Sequence, residues 1–303
     1  MISLFNINTY TIDTAKFTHL SHDKIIQEFE HRFAEYVGAD FACSANSASS
    51  LLFLALLNLN TTIKVPSIIP PVVPNVILNS NNNLEFYDDV DWVGNCYHLH
   101  DNIFDSAQEV TKNQYANIND NNAIMIFSFY PTKPIGSCDG GIVVSNNQAT
   151  IDYFKRMSLN GTTFSKHNWE REQVAIGYKM HSNSLQAYIA NENLKKLDSK
   201  QDRISEIREF YNQQLGYNNI SNHLYRIRVS YNKDFIEKMK LNNIQCGIHY
   251  SSCHTNPIFG HKGDRLPKSE IESKTTVSLP FHENLTNEET KKVVKYVREF
   301  SSL

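Results

Sequence analysis

A chain of 303 residues is long enough for one large domain and a smaller one. Its formal charge of −3 and pI near 6.5 exclude the strongly basic face on which nucleic-acid binders depend. No uncharged apolar run approaches the roughly 18 residues that a membrane span requires. The five cysteines (Cys43, Cys96, Cys138, Cys246, Cys253) are odd in number and form no CxxC pair, which fits reduced thiols better than disulfides or a zinc site. The start, MISLFNINTYTIDTAKF, has neither a basic region nor a sustained apolar segment, so no signal peptide is expected and the expected compartment is the cytoplasm. The abundant asparagines read as loop filling, and there is no internal repeat.

In chain order, Ile25, Ile26, Phe29, Phe33 and Ala34 recur at helical spacing behind the capping residues Ser21 and Asp23, which predicts a helix over Lys24 to Tyr36. Phe41 to Ser50 then passes from a short strand through small hydroxyl residues into an apolar helix, Leu51 to Leu57. Such residues cap free N–H groups, and they also leave room for an anion at the positive end of the helix. The segment Lys64-Val65-Pro66-Ser67-Ile68-Ile69-Pro70-Pro71 precedes a helix through Val76 to Leu78. Strands are expected at Leu84 to Asp89 and at Asn102 to Asp105. Whether a third strand lies between them, in Tyr97 to His100, is left open by the short Val90 to Asp101 spacing, because a parallel crossover needs a dozen or more residues. His98 and His100 lack carboxylates or cysteines at ligand spacing, so no metal is expected there.

Asp105 closes an apolar strand, the place where ligands meet open α/β sheets; by itself it would equally serve as a helix cap. Lys133 lies in Phe127 to Gly141, FSFYPTKPIGSCDGG, between the apolar runs Ile124 to Phe127 and Ile142 to Val144. A lysine at a strand end among Tyr130, Pro131 and Pro134 is partly desolvated, which lowers its pKa and frees its amine to attack carbonyls; the competing reading is a solvated loop lysine. Farther on, Ile151 to Met157 reads as a helix and Asn160-Gly161 as a turn. Leu185 to Leu215 is a long amphipathic stretch broken at Asp198-Ser199. Leu224 to Val229 alternates as a strand, Lys233 to Leu241 is a helix, Val277 to Leu279 a strand, and Thr286 to Phe300 a capped helix.

Taken together, these segments resemble the DegT/DnrJ/StrS family of sugar aminotransferases, which use pyridoxal 5'-phosphate (PLP). Phe29-Glu30-His31-Arg32-Phe33-Ala34-Glu35-Tyr36-Val37-Gly38 is similar to the opening FExxFAxYxG helix. Ser47-Ala48-Ser49 resembles the phosphate cup, with Ser49 in a threonine's place. The Asp105-Ser106-Ala107-Gln108 run is similar to the Asp-x-Ala-Gln run, whose Asp pairs with the pyridine nitrogen and whose Gln reaches the ring hydroxyl. Ser128 and Lys133 resemble the Ser-Phe-x-x-x-Lys loop, in which the serine holds the phosphate and the lysine forms the Schiff base. Cys138-Asp139-Gly140-Gly141 matches a Gly-acidic-Gly-Gly turn, with cysteine at a first position expected not to need φ > 0. Gly177 to Ala187 aligns with GYNYRMxxxQA. There Lys179 stands for the asparagine that reaches a neighbouring subunit's phosphate, and His181 replaces an arginine of the substrate side. His249-Tyr250 and the following His254 parallel the HYxxxH segment near the substrate mouth, and Val277 to His282 parallels the SLPxH strand.

The resemblance implies an α/β PLP-dependent transferase of fold type I. Its large domain, residues 1–205, would have a mostly parallel sheet and bind PLP, and a small C-terminal α/β domain would follow at 206–303. It implies a homodimer that moves an amino group from an amino acid, glutamate being expected, to a keto group of a nucleotide-linked sugar, for surface glycan or amino-sugar synthesis. The implied catalytic residues are Lys133 and Asp105. Cofactor binding falls to Ala48, Ser49, Asp105, Gln108, Ser128, Lys133 and Lys179, and substrate binding to His181, His249 and Tyr250. Neither metal, nucleic acid nor membrane is implied. Pro70 falls where an aromatic ring normally stacks on the cofactor, and Val90 to Asp101 is trimmed by comparison with two βα units. Two alternatives remain open at this point: a PLP-dependent sugar dehydratase, against which the intact Lys133 argues, and a non-catalytic relative.

Overall fold

The computed structural model describes residues 1–301 apart from 8, 164, 166 and 261–264. Helix α1 (Lys24–Val37) begins at Asp23, whose Oδ1 accepts from Ile25 N at 3.2 Å, and ends at Gly38 with φ 77°. Phe29, Phe33 and Val37 recur every four residues and are all buried, so the helix shows the core one apolar stripe. Each such burial contributes about 1.5–3 kcal/mol.

Strand β1 (Phe41–Ala45) leads into α2 (Ala48–Leu56), and β2 (Thr62–Pro66), α3 (Val72–Asn79) and β3 (Asn83–Tyr87) form a parallel βαβ unit. Next come β4 (Tyr97–His100), β5 (Ile103–Asp105), β6 (Ile124–Ser128), β7 (Gly141–Ser145) and α4 (Gln148–Ser158). The central sheet has the order β1-β7-β6-β5-β4. Along β6 and β7 the side chains alternate as a pleated strand requires. Met125, Phe127, Ile142 and Val144 join the core under α1, whereas Ile126 and Val143 join the opposite core with Leu51, Leu54 and Phe154.

The expected α/β architecture is present, but the sheet is mixed where a mostly parallel one was expected. Strands β1, β6 and β5 run one way, β7 and β4 the other, and only the β5–β6 ladder is parallel. The strand left open at Tyr97 to His100 does form. Its connection to β5 is the pair Asp101-Asn102, too short for a crossover, so the two strands can only make an antiparallel hairpin.

Helix α5 (Ser184–Leu194) and α6 (Leu197–Leu215) divide the long amphipathic stretch at Lys195-Lys196, one turn before the expected break. Asp198 lies in the first turn of α6, where a carboxylate meets the positive helix end, so it favours the helix it was expected to interrupt. Strand β8 (Tyr225–Arg228), α7 (Asn232–Leu241), α8 (Pro267–Thr275), β9 (Thr276–Leu279) and α9 (Asn287–Phe300) complete the chain. Helix α8 was not anticipated. A third apolar cluster joins Ile204, Ile207 and Tyr211 of α6 to Tyr225, Val277, Val293 and the N-terminal Ile2. Among the described residues, no helix is long and apolar enough to cross a membrane.

Candidate active site

The loop between β6 and β7 is folded back on itself by Lys133 N donating to Tyr130 O at 2.8 Å and Ser137 N donating to Phe129 O at 2.8 Å. Positive φ falls on Asp139 (115°) and Gly140 (133°) and not on Cys138, as the cysteine there had led us to expect. Lys133 is half-buried, facing Phe5, Thr132, Lys200, His223 and Glu283. Burial lowers its pKa to about 8, and the nearby Asp105 carboxylate works in the opposite direction.

Asp105, at the end of β5, is buried. Its Oδ1 accepts from Ala107 N and its Oδ2 from the Tyr97 hydroxyl, both at 2.9 Å. Burial pushes the carboxyl pKa up, against the pull of the Ala107 N–H, Tyr97 and Lys133. Three residues on, buried Gln108 accepts from Gly94 N at 3.0 Å through Oε1, so the end of the amide left over is the NH₂ donor.

Ser47 caps α2, its Oγ accepting from Ser50 N at 3.1 Å, and the helix therefore starts at Ala48, earlier than the periodicity suggested. Ser128 pairs in register with Gly141 across the β6–β7 ladder. A Cβ on Gly141 would lie 2.4 Å from Ala48 N, so the missing side chain is what lets the helix end seat against β7. Ala48, Ser49 and Ser128 are thereby gathered at a helix N-terminus, whose first N–H groups lack intrahelical partners and favour an anion.

His249 lies within electrostatic reach of Lys133, and Tyr250 within that of Asp105. His249 Nδ1 lies 2.9 Å from Ser278 Oγ, and its pKa falls to about 4 through burial and then the charges of Lys133 and Arg226. The Tyr250 phenol is pushed up by burial and then by Asp105. The segment carrying Lys179 and His181 runs past the α2 cap, with His181 bridging Ala45, but the His181 side chain lines another cavity. Lys179 is exposed on a segment that bridges Leu159, and Met180 O accepts from Asn46 N at 2.7 Å beside the α2 cap. His181 stacks on His22 at 4.8 Å and lines a cavity of about 640 Å³ with Glu30, Ser44, Lys155 and Arg156, which shares no residue with the surroundings of Lys133.

Three neighbours were not singled out from the sequence. Buried His223 has a pKa well below its ordinary value, through burial and then Lys133 and His249. Arg226 holds Glu272 at 3.1 Å and donates to Val90 O at 3.1 Å. Tyr97 grips Asp105. The alternation Tyr97-His98-Leu99-His100 signals a half-buried strand, but only the hairpin register puts Tyr97 opposite Asp105. Among the described residues, no group of three His, Cys, Asp or Glu is arranged to hold a metal.

The chain matches the family model described as the DegT/DnrJ/EryC1/StrS aminotransferase family over residues 6–76 and 102–298. A relative from Campylobacter jejuni serotype O:2, UDP-4-amino-4,6-dideoxy-N-acetyl-beta-L-altrosamine transaminase, is 25% identical over 351 residues, covering 94% of this chain and 93% of its own. Helicobacter pylori PseC, an aminotransferase involved in the biosynthesis of pseudoaminic acid, superposes with a TM-score of 0.81 at 20% identity, covering 99% of this chain and 100% of its own. Spr1654 from Streptococcus pneumoniae in its PLP form superposes at 0.80 with 16% identity, covering 98% of each chain. The fold is therefore that of the PLP-dependent sugar aminotransferases. The residues present fit that cofactor: a shielded amine, a buried carboxylate supplied with donors, and a helix end opened by Gly141.

Proposed function

This chain belongs to the DegT/DnrJ/EryC1/StrS aminotransferase family and is a PLP-dependent aminotransferase, and from that premise we propose that it moves an amino group from glutamate to a keto group of a nucleotide-linked sugar. The observation that carries the proposal is that Lys133, its pKa lowered to about 8, and the buried Asp105 at the end of β5 lie close enough for each charge to act on the other. The similarity to the Campylobacter UDP-amino-sugar transaminase supports a nucleotide-linked amino sugar, and the similarity to the spore coat polysaccharide biosynthesis protein SpsC of Bacillus subtilis supports a surface glycan as its destination.

When bound, PLP supplies an aldehyde that takes up the amine and a ring that accepts the electrons of a broken Cα–H bond. In our reading Lys133 Nζ would hold the cofactor and, as a free amine, would move the proton at the substrate's reacting carbon as base and acid. With a pKa near 8 roughly a tenth of the free amine is unprotonated at pH 7, far more than an ordinary lysine offers as a base. Asp105 holds a proton on the ring nitrogen, because a buried anion favours a protonated partner. Gln108 offers its NH₂ to the ring oxygen, while Ser49, Ser128 and the N–H groups at Ala48 hold the phosphate. His249 and Tyr250 stand on the substrate side. Lys179, exposed in one protomer, suits a contact with the phosphate of a second copy, and His181 is assigned to the same face of a homodimer.

Two measurements test this. The purified protein should show the visible absorbance of lysine-bound PLP, and Lys133→Ala should lose it; a wild-type protein that takes up no PLP sinks the proposal. Labelled glutamate with a panel of nucleotide-linked 3-keto and 4-keto sugars, read by mass, should give an amino sugar and 2-oxoglutarate. Loss of water without 2-oxoglutarate would instead assign a dehydratase.

A further inference from the structure

The family match skips residues 77–101, yet part of that stretch is fastened to the site at every turn. Val90 O accepts from Arg226 Nη2 at 3.1 Å, and Trp92 Nε1 donates to Ile68 O at 3.0 Å. Gly94 N donates to Gln108 Oε1 at 3.0 Å, and Gly94 O accepts from Ser221 Oγ at 2.9 Å. Gly94 has φ 98°, and a Cβ there would sit 2.5 Å from Ser221 Oγ, so the chain passes where only glycine fits. Cys96 N donates to Glu109 Oε2 at 2.8 Å. At the end of this strap the Tyr97 ring packs on Trp92 at 4.5 Å and its hydroxyl reaches Asp105 Oδ2 at 2.9 Å.

We propose that Tyr97 is a positioning residue for Asp105, holding the carboxylate through Oδ2 in the orientation and charge state that the cofactor's ring nitrogen requires. The inference rests on the PLP reading above and concerns a residue outside the family match. With Ala107 N on Oδ1 and Tyr97 on Oδ2, both oxygens are tied and the carboxylate plane cannot turn. A buried carboxylate short of one donor becomes easier to protonate, and a protonated Asp105 no longer stabilises a protonated ring. The hydroxyl therefore acts on the ring nitrogen through Asp105, without touching the cofactor itself. Tyr97 is buried and comes from the strand that pairs directly with β5, so its aim is fixed by the hairpin register.

The test uses the full chain. Tyr97→Phe keeps the ring against Trp92 and removes only the donor; Trp92→Phe perturbs the same packing and leaves the donor in place. For both, PLP affinity, the pH midpoint of the visible band and the unfolding of the cofactor-free protein are measured beside wild type. Tyr97→Phe should bind PLP roughly tenfold more weakly, the loss that follows if Asp105 becomes about one pKa unit easier to protonate and is less available as an anion to the ring nitrogen. Its band should titrate at higher pH, because an unprotonated ring leaves the lysine-bound group more basic. Trp92→Phe should lower the unfolding temperature and keep the wild-type midpoint. Matching midpoints in the two variants would reduce Tyr97 to packing and overturn the proposal. Tighter PLP binding by Tyr97→Phe would do the same, since the phenol would then be an obstacle. A wild-type band absent altogether overturns the PLP reading and this inference together, whereas a normal band with wild-type affinity and midpoint in Tyr97→Phe overturns this inference alone.

Discussion

Asp105 and Lys133 bias each other's protonation across the end of the sheet: the carboxylate raises a lysine pKa that burial lowers, and the lysine lowers a carboxyl pKa that burial raises. Each is therefore less perturbed than its burial alone would make it, and removing either exposes the full effect on the other. In cofactor-free Asp105→Asn, the Lys133 amine should titrate below about 8, because only the upward influence has been deleted. The pH dependence of Lys133 modification by an amine reagent, followed by mass, measures this; a midpoint at or above the wild-type value would show that the carboxylate does not reach the amine.

The same pair fixes the sign of a stability change. Lys133 has a folded pKa of about 8, below the roughly 10.4 of a free lysine, so the fold disfavours the charged form. That penalty is complete below the folded value and fades as pH rises toward the unfolded one. Replacing Lys133 by Met in the cofactor-free protein should therefore raise stability near neutrality by on the order of 1–2 kcal/mol, a figure discounted for the residue's partial exposure. The gain should vanish above about pH 10.4 in urea unfolding at graded pH. A gain that grows with pH contradicts the argument.

Gly141→Ala tests how the phosphate end is assembled. The new methyl would lie 2.4 Å from Ala48 N and 2.6 Å from its Cα, both backbone atoms that cannot swing aside as a side-chain tip would. Overpacking of this kind costs about 1–3 kcal/mol. Because the displaced group is the start of α2, the variant should also release PLP faster during gel filtration than its lowered stability alone explains. Unchanged retention together with an unchanged unfolding temperature would mean that α2 does not need this seat.

What the sequence discloses here follows the range of the forces involved. Helix α1 is legible because Phe29, Phe33 and Val37 report a local period. Lys133 and Asp105 are legible because each is a chemically distinctive residue at the end of an apolar run, in a recognisable chain order. Tyr97 is not, since its meaning depends on a cross-strand pairing with Asp105 that local pattern does not specify. The running direction of β4 was readable in principle, because two residues between strands permit only a hairpin, but it required knowing that β4 existed. Asp198 misled because a short acidic residue suits a helix start as well as a break, and here it lies in the first turn of α6 while its Oδ1 accepts from Tyr36 OH at 2.7 Å. His181 was assigned to the substrate side by alignment with a motif, yet within one protomer it faces the cavity beside α1.

That second cavity carries a carboxylate whose cost can be measured. Glu30 Oε1 accepts from Ser44 N at 2.7 Å and from Ser44 Oγ at 2.8 Å, tying α1 to the edge strand β1. Burial nevertheless raises the Glu30 pKa, and these two bonds and the charge of Lys155 only partly oppose it. The folded state therefore disfavours the ionised form. The penalty is absent below the unfolded value of about 4.3, accumulates as pH rises toward the higher folded value, and is complete above it. Glu30→Gln keeps an oxygen for both Ser44 donors and removes the charge, so it should be neutral near pH 4 and stabilising at pH 8. Glu30→Ala discards the acceptor as well and should destabilise at both pH values, by about 1–3 kcal/mol for the stranded Ser44 N–H. Urea unfolding of the three proteins at the two pH values separates the charge from the hydrogen bonds. A Gln variant that loses stability at pH 8 would show that the carboxylate's charge, through Lys155, is worth more than its burial costs.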